Sequence, residues 1–104
     1  MKILFVCSQG KNRSPTAAKL FSKSFETKSV GLFTSLRLPN LDDELSWADY
    51  VFTMEEQHRQ CLIDSYGYNP DKVFNLDIPD GYPYNSNDLK ELLIKKITPY
   101  FKKE

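Results

Sequence analysis

The chain has 104 residues, 40% of them apolar and 27% charged, with 14 basic side chains against 14 acidic ones. That is enough for one core and too little for two, so one domain over residues 1–104 is expected. The even charge excludes a general attraction to nucleic acid or to an anionic membrane surface. No run approaches the roughly 18 apolar residues of a membrane span. The first residues do not follow the basic, apolar and small-residue order of a secretory signal, and the expected location is the cytoplasm. Two cysteines, Cys7 and Cys61, are expected as reduced thiols rather than a disulfide.

Ile3-Leu4-Phe5-Val6 has the β-branched and aromatic content of a buried parallel strand. It runs into Cys7-Ser8-Gln9-Gly10-Lys11-Asn12-Arg13-Ser14-Pro15, where Ser14 is expected to cap a helix and Pro15 suits its first turn. The helix is predicted over 16–25, with Ala17, Leu20, Phe21 and Phe25 as its apolar stripe. A second strand is predicted over 28–33, where Gly31 signals a bend or a close approach of another backbone segment. A loop over 34–40 ends at Asn40, a candidate cap for a short helix over Leu41 to Trp47 with acids in its first turn; Trp47 is expected in the core. Residues 48–53 read as a third strand and 54–63 as a helix. Gly67-Tyr68-Asn69-Pro70-Asp71 breaks that helix before a short fourth strand over 73–76. After a loop over 77–85, Ser86 is expected to cap a final helix carrying Leu89, Leu92, Leu93 and Ile97, whose end Pro99 disturbs. Strands alternating with helices predict an α/β fold: a three-layer sandwich with a parallel sheet, helices on both faces, and ligands at the carboxyl ends of the strands.

The loop after the first strand carries the chemistry. A strand leading through a loop into a helix aims backbone N–H groups and a helix N-terminus at an anion, which binds phosphate without a metal. A cysteine placed there is favoured as the nucleophilic thiolate, and Ser14 can donate its hydroxyl to it. The planar fork of Arg13 can hold two phosphate oxygens. Gly10 permits a left-handed turn.

Cys7, five residues, then Arg13-Ser14-Pro15 near the N-terminus resembles the signature of the low-molecular-weight protein tyrosine phosphatases, in a short bacterial-type branch. The resemblance extends to Ala48-Asp49, to Val51-Phe52-Thr53-Met54-Glu55 and to Asp77-Ile78-Pro79-Asp80-Gly81-Tyr82. It implies a four-stranded parallel sheet, no metal and no cofactor, and hydrolysis of phosphotyrosine-type monoesters through a phosphocysteine. It makes Cys7, Arg13 and Asp80 catalytic, with Asp80 as general acid, and makes Ser8, Gln9, Gly10, Lys11, Asn12, Arg13 and Ser14 the phosphate cradle. Tyr82, and less so Tyr84, would wall a slot for a phenyl ring. Expected ligands are a phosphorylated protein or a small aryl phosphate, with phosphate, sulfate or vanadate in the loop; no nucleic acid or membrane partner is expected, and the expected state is a monomer. Asp77, three residues before Asp80, is a competitor for the acid's role. Gly81 replaces the usual proline, and Asn12 replaces the second loop cysteine of many relatives.

Bland alternatives stand beside these readings. Cys7 can be a buried structural residue, Lys11 a solvated one, and the tyrosines loop packing. His58 and Cys61, without further ligands, make a poor zinc site and are read as helix packing. A cysteine-phosphorylated sugar-carrier subunit would share the size and strand–loop start but lacks an arginine at the sixth position. A thioredoxin-coupled arsenate reductase needs two more cysteines than Cys7. A catalytically idle phosphopeptide-binding module remains as a third alternative.

Overall fold

A computed structural model describes residues 1–32 and 41–101. Four strands, β1 (Lys2–Cys7), β2 (Glu26–Gly31), β3 (Tyr50–Thr53) and β4 (Val73–Asn75), form one parallel sheet in the order β2-β1-β3-β4. The helices are α1 (Arg13–Leu20), α2 (Leu41–Trp47), α3 (Glu56–Tyr66) and α4 (Asn87–Phe101). The α/β sandwich expected from the alternation of elements is the fold observed. The order reverses at β1, so the loop leaving its carboxyl end opens at the switch point where neighbouring connections diverge.

Alternation along β1 divides the core. Ile3, Phe5 and Cys7 face one side, where Ala17 of α1 and Leu89, Leu93 and Ile97 of α4 close the layer. Leu4 and Val6 face the other, against Leu41 and Leu45 of α2 and Leu62 of α3. This two-residue period puts Cys7 on the α1 side of the sheet. Phe52 anchors that layer, with its ring centroid 5.7 Å from Phe74, 6.0 Å from Phe5 and 5.2 Å from Tyr100.

Several boundaries differ from the sequence reading. Helix α1 ends at Leu20, so Phe21 and Phe25 lie beyond it, and the Phe25 ring packs tilted against Phe101 with centroids 4.7 Å apart. Strand β2 ends at Gly31. Helix α3 begins at Glu56 and runs on to a left-handed Gly67 cap (φ 65°). Pro99 lies inside α4 rather than ending it. The expected loop over 34–40, its cap Asn40 and residue 33 fall outside the described residues. The cap on α4 is present as expected: the Leu89 N–H donates to Ser86 Oγ at 3.3 Å. Trp47 is half-buried against the α2–α3 layer, with Lys28 Nζ 4.6 Å from its ring. Cys7 and Cys61 are both free thiols.

The loop after β1 rests on β2. Gly10 adopts φ +70°, and a Cβ there would fall 2.7 Å from the Gly31 nitrogen. A Cβ on Gly31 would fall 2.4 Å from the Gln9 carbonyl carbon. Gly31 is thus the close backbone approach that the sequence suggested, and what approaches it is the candidate phosphate loop.

Candidate active site

Ser14, expected both as a helix cap and as a hydroxyl beside the Cys7 sulfur, has the second of these places. Asn12 precedes α1 without a side-chain cap bond, while the fully buried Ser14 puts its Oγ 3.0 Å from Cys7 Sγ and 3.4 Å from the Val30 carbonyl oxygen. A hydroxyl suits either task; the parity of β1, which aims Cys7 at the first turn of α1, selects the thiol. The Gly10 N–H also donates to Cys7 Sγ, at 3.2 Å. The Gly10 N–H and the Ser14 hydroxyl thus both meet the sulfur.

Above the sulfur is a cavity of about 110 Å³ lined by Cys7, Ser8, Gln9, Lys11, Asn12, Arg13 and Asp80. Arg13 is only 2% exposed. Its Nη1 donates to Glu55 Oε2 at 2.7 Å and to the Ile78 carbonyl oxygen at 2.7 Å, and its Nη2 lies 3.5 Å from Ser8 Oγ. The Arg13 hydrogen bond, with desolvation opposing it, holds the Glu55 carboxyl below its ordinary range. Burying a guanidinium is costly without such partners, and here they fix the plane of the fork.

The same contacts bring the downstream loop to the site. Besides the Arg13–Ile78 bond, Thr16 Oγ1 accepts from the Asn85 N–H at 2.8 Å, and Ile78 N–H donates to the Met54 carbonyl oxygen at 2.7 Å. Between these anchors Asp80 reaches the loop, its Oδ1 3.8 Å from Arg13 Nε, with its carboxylate 72% exposed. Asp77 is held apart: it has φ 55°, and its Oδ1 accepts from Asn75 Nδ2 at 2.6 Å. It lines an adjoining cleft of about 440 Å³ with Met54, Glu55, Ile78, Pro79 and Asp80.

Tyr82 does not line the Cys7 cavity; it is half-buried against the apolar layer on the α1 side. Gly81, at φ 111°, redirects the backbone between Asp80 and Tyr82. Tyr84 is exposed, with Lys19 Nζ 6.0 Å from its ring.

Sequence reasoning missed Glu55 and misplaced His58. Glu55 caps α3 in a capping box with His58 at the third helical position: His58 Nδ1 accepts the Glu55 backbone N–H at 3.1 Å. His58 is fully buried, and its Nε2 lies 2.8 Å from Ser8 Oγ. Its place is behind the loop, not merely in helix packing. Burial pushes the imidazole below its ordinary 6.5, against the opposing pull of Glu55. A box that begins with Glu rather than Ser or Thr departs from the usual signature, and only its three-residue spacing was visible. Among the described residues, no group of three or more His, Cys, Asp and Glu side chains is placed to hold a metal ion.

No family model matches the chain. A protein-arginine-phosphatase of Bacillus subtilis is 29% identical over 105 aligned positions, covering 73% of this chain and 70% of the relative. The structure of a YwlE arginine phosphatase, a cysteine-to-serine mutant with a phosphorylated active-site serine, superposes with a TM-score of 0.73 at 25% identity, covering 100% of this chain and 97% of the other. A low-molecular-weight protein tyrosine phosphatase from Bacillus subtilis shares the fold, with a TM-score of 0.69 at 23% identity over 98% of this chain and 100% of the other. In sequence and fold the chain is similar to phosphatases of the low-molecular-weight protein tyrosine phosphatase type. These relatives are phosphatases, an arginine phosphatase among them, and they support a cysteine-based phosphatase.

Proposed function

We propose that the protein is a metal-independent protein phosphatase that works through a phosphocysteine at Cys7. The observation that carries this reading is the convergence of Ser14 Oγ and the Gly10 N–H on Cys7 Sγ, at 3.0 and 3.2 Å, beneath a cavity walled by Arg13 and Asp80. In the first step Sγ attacks phosphorus, the Sγ–P bond forms, and the bond to the leaving atom breaks in line. Arg13 and the loop amides from Ser8 to Arg13 hold the equatorial oxygens as charge redistributes. The Asp80 carboxyl gives its proton to the leaving atom. In the second step the Asp80 carboxylate takes a proton from water, which attacks phosphorus, releases inorganic phosphate and returns the thiolate, with Ser14 stabilising the departing sulfur. Asp80 is favoured over Asp77 as the acid because Asp80 lines the loop cavity.

The phosphoryl donor expected from sequence is a phosphotyrosine-type ester, whose phenolate leaves after protonation by Asp80. A second reading, phosphoarginine, is favoured by the carboxylates of Glu55, Asp77 and Asp80 lining the adjoining cleft, which suit a guanidinium leaving group. The arginine-phosphatase relatives support it, as does the position of Tyr82 against the core. Purified protein in EDTA, offered matched phosphotyrosyl and phosphoarginyl peptides beside an aryl phosphate, tests both. Release of phosphate that disappears in Cys7→Ser is the expected result, and the ratio of kcat/KM for the two peptides selects the substrate. Turnover that requires added metal, or that survives in Cys7→Ser, refutes the proposal.

A further inference from the structure

His58 is the single histidine of the chain, and the hydrogen bonds around it determine which ring nitrogen carries the proton. The Glu55 backbone N–H can only donate, so Nδ1, 3.1 Å away, accepts. On a neutral imidazole the proton then belongs to Nε2, which is 2.8 Å from Ser8 Oγ and must donate to it. Arg13 Nη2, 3.5 Å from that oxygen, is also a donor only. With donors on its acceptor side, the Ser8 hydroxyl has its own proton left to give, and Ser8 lines the cavity above Cys7.

We infer that His58 is a positioning residue that fixes the Ser8 hydroxyl as a hydrogen-bond donor to the phosphoryl group. This rests on the phosphatase reading of the site and adds to it a side-chain donor beside the loop amides and Arg13. Without the Nε2–H donor the hydroxyl can turn its own proton toward the imidazole or toward water instead. Locking it as a donor removes that reorganisation when charge moves onto the phosphoryl oxygens. The N-terminal box of α3 thus has a second use. The Glu55 backbone N–H sets the histidine tautomer, while the Glu55 carboxylate holds Arg13 at 2.7 Å. One helix start orients two groups of the phosphate cavity.

Long-range proton–nitrogen spectra of the sole histidine read its tautomer without overlap, and the Nε2–H form is expected in the wild-type protein at neutral pH. Ser8→Ala should lower kcat/KM on an aryl phosphate by about 10-fold and weaken competitive binding of inorganic phosphate by a similar factor, the loss expected of one donor to a charged group. His58→Leu should do the same in the wild-type background and add little in Ser8→Ala. His58→Gln, whose side-chain amide can supply an N–H near the Nε2 position, should recover most of the loss. An Nδ1–H tautomer, unchanged phosphate binding in Ser8→Ala, or a His58→Leu effect equally large without the Ser8 hydroxyl would each overturn the inference. If His58→Leu fails to fold, the tautomer and the Ser8→Ala and His58→Gln measurements still decide. Absence of Cys7-dependent turnover in wild type would remove the phosphatase reading alone, because phosphate binding and the tautomer are measured without catalysis.

Discussion

Gly31→Ala tests how the loop is held. The new Cβ would fall 2.4 Å from the Gln9 carbonyl carbon, 2.6 Å from its oxygen and 2.6 Å from the Gly10 nitrogen, where ordinary contact begins at 3.4 Å. All three are backbone atoms, so no rotamer relieves the clash and the loop must retreat by about 1 Å. Overpacking of this kind costs about 1–3 kcal/mol, which for a domain of this size lowers Tm by roughly 5–15 °C. A displacement of about 1 Å in groups that bind the reacting phosphoryl costs on the order of 100-fold in rate. The expected outcome is therefore a folded protein with kcat/KM on an aryl phosphate reduced about 100-fold. Gly67→Ala is the control. Its φ is +65° but nothing lies within 4 Å of a Cβ there, so it should cost about 1–2 kcal/mol of stability and leave kcat/KM unchanged. Wild-type kcat/KM in Gly31→Ala, measured on protein shown to be folded by circular dichroism, would refute the claim that β2 sets the loop geometry.

On a substrate with a poor leaving group, Asp80→Asn should depress kcat by about 100-fold or more while Asp77→Asn changes it little; the reverse order would transfer the acid's role to Asp77. Arg13→Lys keeps the charge but loses the fork that bonds Glu55 and Ile78, and kcat/KM should fall by roughly 100-fold or more, with a lower Tm in a melting scan. His58 sits below its ordinary 6.5 through burial, so as pH falls through that value the unfolded chain takes up a proton before the native state does. Native stability should therefore decline as pH falls from neutrality toward the folded value, and His58→Gln should flatten that part of a denaturation-midpoint profile. Glu55 acts in a lower window: with its carboxyl held down chiefly by Arg13, its contribution is present above 4.5 and lost as pH falls through the depressed folded value.

The elements most legible in the sequence are those whose pattern is local. The apolar run of β1 and the Ser86 cap of α4 each follow from a few adjacent residues, and the loop chemistry proposed for Cys7 to Arg13 was read from one stretch. The cradle's supports were not, because they join distant segments. Arg13 meets a carboxylate 42 positions away and a carbonyl 65 positions away, and neither spacing leaves a periodic trace. Ser14 was read both as a cap, because hydroxyls favour helix starts, and as a partner of the thiol; the alternation of β1 gave it the second place. His58 was read as packing because the chain offers no nearby metal ligands. Its use emerges only when the start of α3 is placed behind the loop. Tyr82 follows Asp80 closely in sequence, but the positive φ of Gly81 separates the two, one lining the cavity and the other packed on the core.

The most direct test of the account is to look for the phosphoryl group on sulfur. Acid-quenched protein taken during turnover of an aryl phosphate, with Asp80→Asn used to slow hydrolysis of the intermediate, should show by mass spectrometry a phosphoryl-mass adduct confined to the peptide containing Cys7 and lost in Cys7→Ser. Turnover with no adduct on Cys7, or an adduct on another residue that persists in Cys7→Ser, would contradict it.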